Sequence, residues 1–139
     1  MADALNTAGN VEQSLGNFQK ALELHEKSLE IKAKCLGLDH VSVAATYGNI
    51  GNFLESQGKF EEALKMHEKC LEIEIRALGP LHVSVAMTKE NIAIVHKIMG
   101  KRDLARTLYE EAHAIFLQSL GPSHYNTKKA ARGLAELSE

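Results

Sequence analysis

The phrase LGLDHVSVA at residues 36–44 returns as LGPLHVSVA at residues 78–86. It recurs in weaker form as LGPSHYNTK at residues 120–128, so that the step from Leu36 to Leu78 equals the step from Leu78 to Leu120. The flanking segments keep the same register without a gap. GNFQKALELHEKSLEI at residues 16–31 lies over GKFEEALKMHEKCLEI at 58–73 and GKRDLARTLYEEAHAI at 100–115. A fixed internal period of this length restricts the chain to one supersecondary unit, repeated and stacked so that neighbours bury each other's apolar faces.

Within the middle copy, Val43, Tyr47, Ile50 and Leu54 recur at spacings of four, three and four. That is one apolar face of a helix over about residues 41–57. Gly58 ends it at a tight turn. Phe60, Ala63, Leu64, His67, Leu71, Ile75 and Leu78 mark a second helix, which Gly79-Pro80 stops. Composition agrees: there are only two prolines, and 45% hydrophobic with 24% charged residues is the balance of a soluble globular protein. No apolar run is long enough to span a bilayer, and residues 1–10 lack the basic start and apolar middle of a signal peptide. A net charge of −2 marks out neither a nucleic-acid binder nor a binder of anionic membranes. Cys35 and Cys70 form no CxxC pair and suit a reducing cytoplasm.

The paired helices, with Ala21, Ala63 and Ala105 at the close crossing and glycine at the turn, resemble the tetratricopeptide repeat family. The usual period of that family is about 34 residues. A period of 42 with Leu-Gly-x-x-His between units resembles the subclass found in kinesin light chains. The eight extra residues amount to about two helical turns, so both helices lengthen by a turn and keep their faces. The resemblance implies an all-α fold: a right-handed α-solenoid of three helix hairpins plus a C-terminal capping helix, about seven helices in all. It is expected to be a single array over residues 1–139, with repeats at 1–40, 41–82 and 83–124 and the cap at 125–138. Val41 and Val83 stand where the family usually has proline, which is dispensable because that N–H has no helical partner. Met1-Ala2 enters the pattern partway, as expected for a fragment of a longer array or a chain without upstream repeats. Residues 125–138 continue as a first helix without its second. With Lys128, Lys129, Arg132 and Glu136 they read as a solvating cap.

His40, His82 and His124 fall at the junctions, where a ring nitrogen can accept from the free N–H groups of the next helix. A shared metal is excluded by reach, since repeats advance by packed helices about 8–10 Å apart and zinc ligands lie at about 2 Å. His25 and His67 share a row with Tyr109 and read as a half-buried packing position. Cys70, in a row with Ser28 and Ala112, reads as a packed thiol. Carboxylates stand four residues before a base on the second helices, as in Glu30→Lys34 and Glu61→Lys65, which supports exposed helix. No HExxH, P-loop, GxSxG or GxGxxG motif occurs. The expectation is a protein with no enzymatic activity, cofactor or metal.

The first helices carry a different polar stripe: Ala45, Gly48, Asn49, Asn52, Glu55 and Ser56 in the second copy. The first copy has Asp3, Asn6, Thr7, Asn10, Gln13 and Ser14, and the third has Met87, Glu90, Asn91, Ile94, Lys97 and Ile98. Amides both donate to and accept from a peptide backbone. Gly48 leaves a gap for a partner side chain, and Met87 and Ile94 offer adaptable apolar contact. The resemblance implies that first helices line a concave side and hold an extended peptide or partner helix. The candidate peptide-binding residues are therefore Asn6, Asn10, Gln13, Gly48, Asn49, Asn52, Glu55, Met87, Glu90, Asn91 and Ile94. Another reading is that small residues only let first helices crowd along the inside of a curve.

Chaperone-binding members of the family grip a C-terminal carboxylate with lysine and arginine on first helices. The matching positions here are Asn6, Asn10, Asn49, Met87 and Asn91, and without a cation there an anionic terminus is poorly held. Asp3, Glu55 and Glu90 against Lys97 make the stripe lean acidic, which favours a neutral or basic partner segment. Two classes of function remain: a cytoplasmic, non-catalytic interaction module, or a structural spacer or self-associating segment of a longer array, the self-association running through an open N-terminal repeat. Neither calls for nucleic acid or membrane.

Overall fold

A computed structural model of the chain describes residues 18–37 and 40–138. Six helices occupy them: α1 (Phe18–Leu36), α2 (Val41–Ser56), α3 (Phe60–Leu78), α4 (Val83–Ile98), α5 (Arg102–Leu120) and α6 (Tyr125–Leu137). The described residues hold no strand. The further helix expected near the N-terminus, with Asn6, Asn10 and Gln13, lies outside the described residues. The second helices begin at Phe18, Phe60 and Arg102 and the first helices at Val41, Val83 and Tyr125, all at the interval read from the sequence.

The recurring phrase is punctuation between helices. Gly79 adopts φ +93°, where a side chain is strained, and its N–H bonds the Ile75 carbonyl at 3.0 Å to close α3. His82 then donates its N–H back to the Gly79 carbonyl at 3.4 Å, turning the chain. Its backbone is extended, and its ring Nδ1 accepts the Ser84 N–H at 3.0 Å, so the imidazole caps α4. His40 caps α2 through Ser42 at 3.0 Å and His124 caps α6 through Asn126 at 3.1 Å. The turn inside a hairpin is built differently. The N–H groups of Gly58 and Lys59 bond the carbonyls of Glu55 and Leu54, both at 2.9 Å, the paired bonds of a Schellman ending.

The chain divides between Ile73 and Glu74 into two compact units. In the first, Ala21, Ile50, Phe53, Leu54 and Ala63 form one apolar cluster, and Val43, Ala44, Cys70 and Ile73 form another. Ala21 and Ala63 have no exposed surface, which lets their helices approach closely. His25 and His67 are fully buried rather than half-buried, and burial pushes both imidazoles below the usual histidine range. His67 lies flat against Gly51, where an added Cβ would stand 2.8 Å from the ring. Lys32, buried along its stem, donates to the Thr46 hydroxyl at 3.4 Å, and Thr46 donates to the Ser42 carbonyl at 3.1 Å.

The second unit repeats the scheme with other chemistry. Ala86, Ala112, Ile115, Phe116 and Ala130 form one cluster, and Ala93, Ala105, Tyr109 and Leu137 form another. Thr88 donates to the Glu74 carboxylate, the same fourteen-residue step that joins Lys32 to Thr46. Lys89 and Glu111 pair at 2.5 Å between α4 and α5.

Replacing the capping ring by His82→Ala lowers unfolding free energy by about 1 kcal/mol, with His82→Asn recovering most of it, as read by urea denaturation. The buried imidazoles set a pH dependence. Their folded pKa lies below the unfolded value, so the unfolded chain takes up protons that the folded chain refuses. Stability is complete above about pH 6.5 and declines as pH falls below it. The Cε1–H resonances of His25 and His67 are expected to titrate below that value by NMR, and the urea midpoint to fall between pH 7 and pH 5.

Candidate functional site

On α2, Asn52 is exposed, while Gly48, Asn49 and Glu55 are half-buried. Burial raises the Glu55 carboxyl above the usual carboxylate range. Gly48 faces α3. A Cβ there would meet the Cys70 thiol at 3.6 Å, so that side has room for a methyl group and not for a partner's side chain. On that side Gly48 makes a helix-packing contact.

The second unit offers more relief. A cavity of about 440 Å³ opens among α4, α5 and α6. Helix α4 lines it with Glu90, Ile94, Lys97 and Ile98, α5 with Tyr109, and α6 with Lys129, Arg132, Gly133 and Glu136. Of the stripe, the cavity gathers Glu90, Ile94, Lys97 and Ile98, and the first two of these are candidate peptide-binding residues. Met87 stays exposed on the same helix and Asn91 is half-buried. Glu90 is only 6% exposed, and one of its oxygens lies 3.3 Å from the Lys129 ammonium. Lys97 pairs with Glu136, and that hydrogen bond holds the Glu136 carboxyl below the usual range.

Tyr109 forms the floor. Its ring lies against Gly133 so closely that an added Cβ would stand 2.5 Å from it. Burial first, then the charges of Glu90 and Glu136, push the phenol up to about 12, so it remains a protonated donor at neutral pH. Lys129, Arg132, Gly133 and Glu136 stand one full period after Met87, Glu90, Asn91 and Ile94. They are the fourth copy of the stripe, although α6 reads as a plain solvating cap. The signal that finds them is the unbroken register of the repeat. They also alter the charge: three cations against two carboxylates border this cavity, where the stripe leaned acidic.

Among the described residues no cluster of three or more histidine, cysteine or acidic side chains is placed to hold a metal ion, and no helix is long and apolar enough to cross a membrane. The family model described as tetratricopeptide repeat matches residues 1–75, 42–101 and 84–138. The chain belongs to the tetratricopeptide repeat family. BtubC (BKLC) from P. vanneervenii superimposes with a TM-score of 0.89 at 21% identity, over 98% of this chain and 54% of that one. The nearly identical TPR-like repeats of a kinesin light chain of Podosopora anserina, so described, give 0.84 at 24% identity over 97% and 64%. The N-terminal domain of stress-induced protein-1 from C. elegans gives 0.75 at 16% over 99% and 94%. These likenesses show the fold, an α-solenoid of tetratricopeptide hairpins of the kinesin-light-chain kind. The chain spans about half the length of the BtubC structure. No curated protein sequence matches it.

The Tyr109–Gly133 contact defines the cavity floor of this tetratricopeptide array. Gly133→Ala forces the buried ring aside and is expected to destabilise the protein by about 1–3 kcal/mol in thermal or urea unfolding, whereas Gly48→Ala stays within about 0.5 kcal/mol.

Proposed function

We propose that the chain is a non-catalytic interaction module that holds an extended peptide or partner helix along the groove lined by the first helix of each repeat. Tetratricopeptide repeats mediate protein–protein interactions, and the finer reading concerns where and how. The observation that carries it is the cavity among α4, α5 and α6, lined by side chains of two first helices and by a buried second-helix tyrosine. The stripe residues Glu90 and Ile94 line it, and exposed Met87 lies on the same helix. In the first unit Asn52 stays open to a ligand backbone, which an amide serves as both donor and acceptor. Surfaces that merely crowd helices together would not leave an amide and a methionine uncovered at these positions.

Peptides selected from a random twelve-residue display library on the immobilised chain are expected to bind at about micromolar Kd, near −8 kcal/mol. The double variant Asn52→Ala, Met87→Ala removes two exposed contacts and is expected to weaken them about tenfold by fluorescence polarisation, with an unchanged melting curve. Selected peptides that bind this variant as tightly as the parent chain refute the groove.

A further inference from the structure

We propose that the cavity among α4, α5 and α6 is a subsite for an uncharged carboxamide side chain, glutamine or asparagine, of the bound segment. This rests on the groove reading above and names what one part of the groove selects. The first observation is Glu90. It is more than nine-tenths buried and lines the cavity; its Oε2 meets no hydrogen-bond donor and is shielded from solvent, while the other oxygen carries the Lys129 ion pair. A buried carboxylate oxygen without a donor is a strong acceptor waiting for one.

The second observation is the order of charge with depth. The deep residues are Glu90 and Tyr109, and the phenol feels both Glu90 and Glu136. The cations Lys97, Lys129 and Arg132 are placed further out, with side chains part or mostly exposed. The interior is therefore negative, and the mouth is net positive, because Glu136 there pairs with Lys97 and offsets one of the three cations. A carboxylate ligand is drawn to the mouth but repelled by Glu90. An ammonium ligand suits the floor but has to pass three cations and shed its water.

A neutral dipole fits both ends. The amide NH₂ donates to Glu90 Oε2, and its carbonyl oxygen accepts from the Arg132 guanidinium or the Tyr109 hydroxyl. The methylene stem lies against Ile94 and Ile98, and 440 Å³ leaves space for the adjoining backbone. Lys129, whose side chain is 43% exposed, swings outward to admit the donor and stays in water as it does so.

The test uses three probes with one branched carbon skeleton and different head groups: isovaleramide, isovalerate and isoamylammonium. Each is titrated into the ¹⁵N-labelled chain at pH 7, following amide shifts in α4 and around Gly133. Isovaleramide is expected to bind at about millimolar Kd and about fivefold tighter than either charged probe. Glu90→Leu is expected to abolish that preference and make isovalerate the tightest, because Lys129 loses its partner. Arg132→Ala, at an exposed position that leaves folding intact, is expected to weaken isovaleramide about threefold and isovalerate more. Equal affinity for the three probes, or a wild-type preference for either charged one, overturns the proposal. Peptides that depend on Asn52 and Met87 but gain nothing from an amide side chain leave the groove standing and remove this subsite. Amide binding in a chain that selects no peptide does the opposite.

Discussion

Neither helix of a hairpin can bury its apolar stripe alone, so everything in this protein depends on how one hairpin hands the chain to the next. The hand-over is made by two residues of opposite character. A glycine at positive φ ends the outgoing helix, and a histidine three residues later caps the incoming one. Glycine is needed because any Cβ would be strained there, and the imidazole is needed because an N-terminus leaves donors without partners. Acting together they hold the interval between helix starts constant, and a constant interval is what keeps each apolar stripe pointed at its neighbours. The turn inside the hairpin uses the Schellman ending instead, so the two kinds of turn are not interchangeable.

Constant geometry brings a hazard, since identical units could pair out of order. The junctions differ in the polar pairs that bridge them. The fourteen-residue step joins lysine to threonine at Lys32–Thr46 and glutamate to threonine at Glu74–Thr88. In the last copy of the step the residues are Phe116 and Ala130, members of one apolar cluster. An exchanged pairing would set the Lys32 ammonium or the half-buried Glu74 carboxylate against alanine, removing its hydrogen bond to threonine. Polar pairs of this kind add little net stability but penalise wrong neighbours heavily.

The features legible in the sequence are those written three times. The helix limits, the positive-φ glycines and the histidine caps all recur in register with the period, and repeated copies separate a structural requirement from accident. Features that depend on depth were less legible. His25 and His67 exchange with Tyr109 in one row, and an aromatic exchange says that the position is packed, not how completely water is excluded. The cavity was hidden for a related reason. It depends on Gly133 letting Tyr109 lie flat beneath it, and a glycine inside a terminal helix reads as a weak point until the ring above it is seen. A Cβ at Gly48 would point toward the Cys70 thiol, a direction that the run of letters does not give.

Charge shows most clearly why a row of letters underdetermines a site. Counted along α4, Glu90 is one acid among solvent-facing residues and makes the groove acidic. In the folded chain it is buried, one of its oxygens pairs with Lys129, and its charge adds to burial in raising the Tyr109 phenol. Two of the cations that offset it come from α6, a whole hairpin later in the chain, and they lie further out. A ligand entering the proposed subsite would therefore meet the two signs in succession and not as a sum. Selectivity in such a groove follows from the depth at which each charge sits, because the local dielectric decides how strongly it acts. A site with a small net charge can accordingly discriminate among head groups more sharply than its composition suggests.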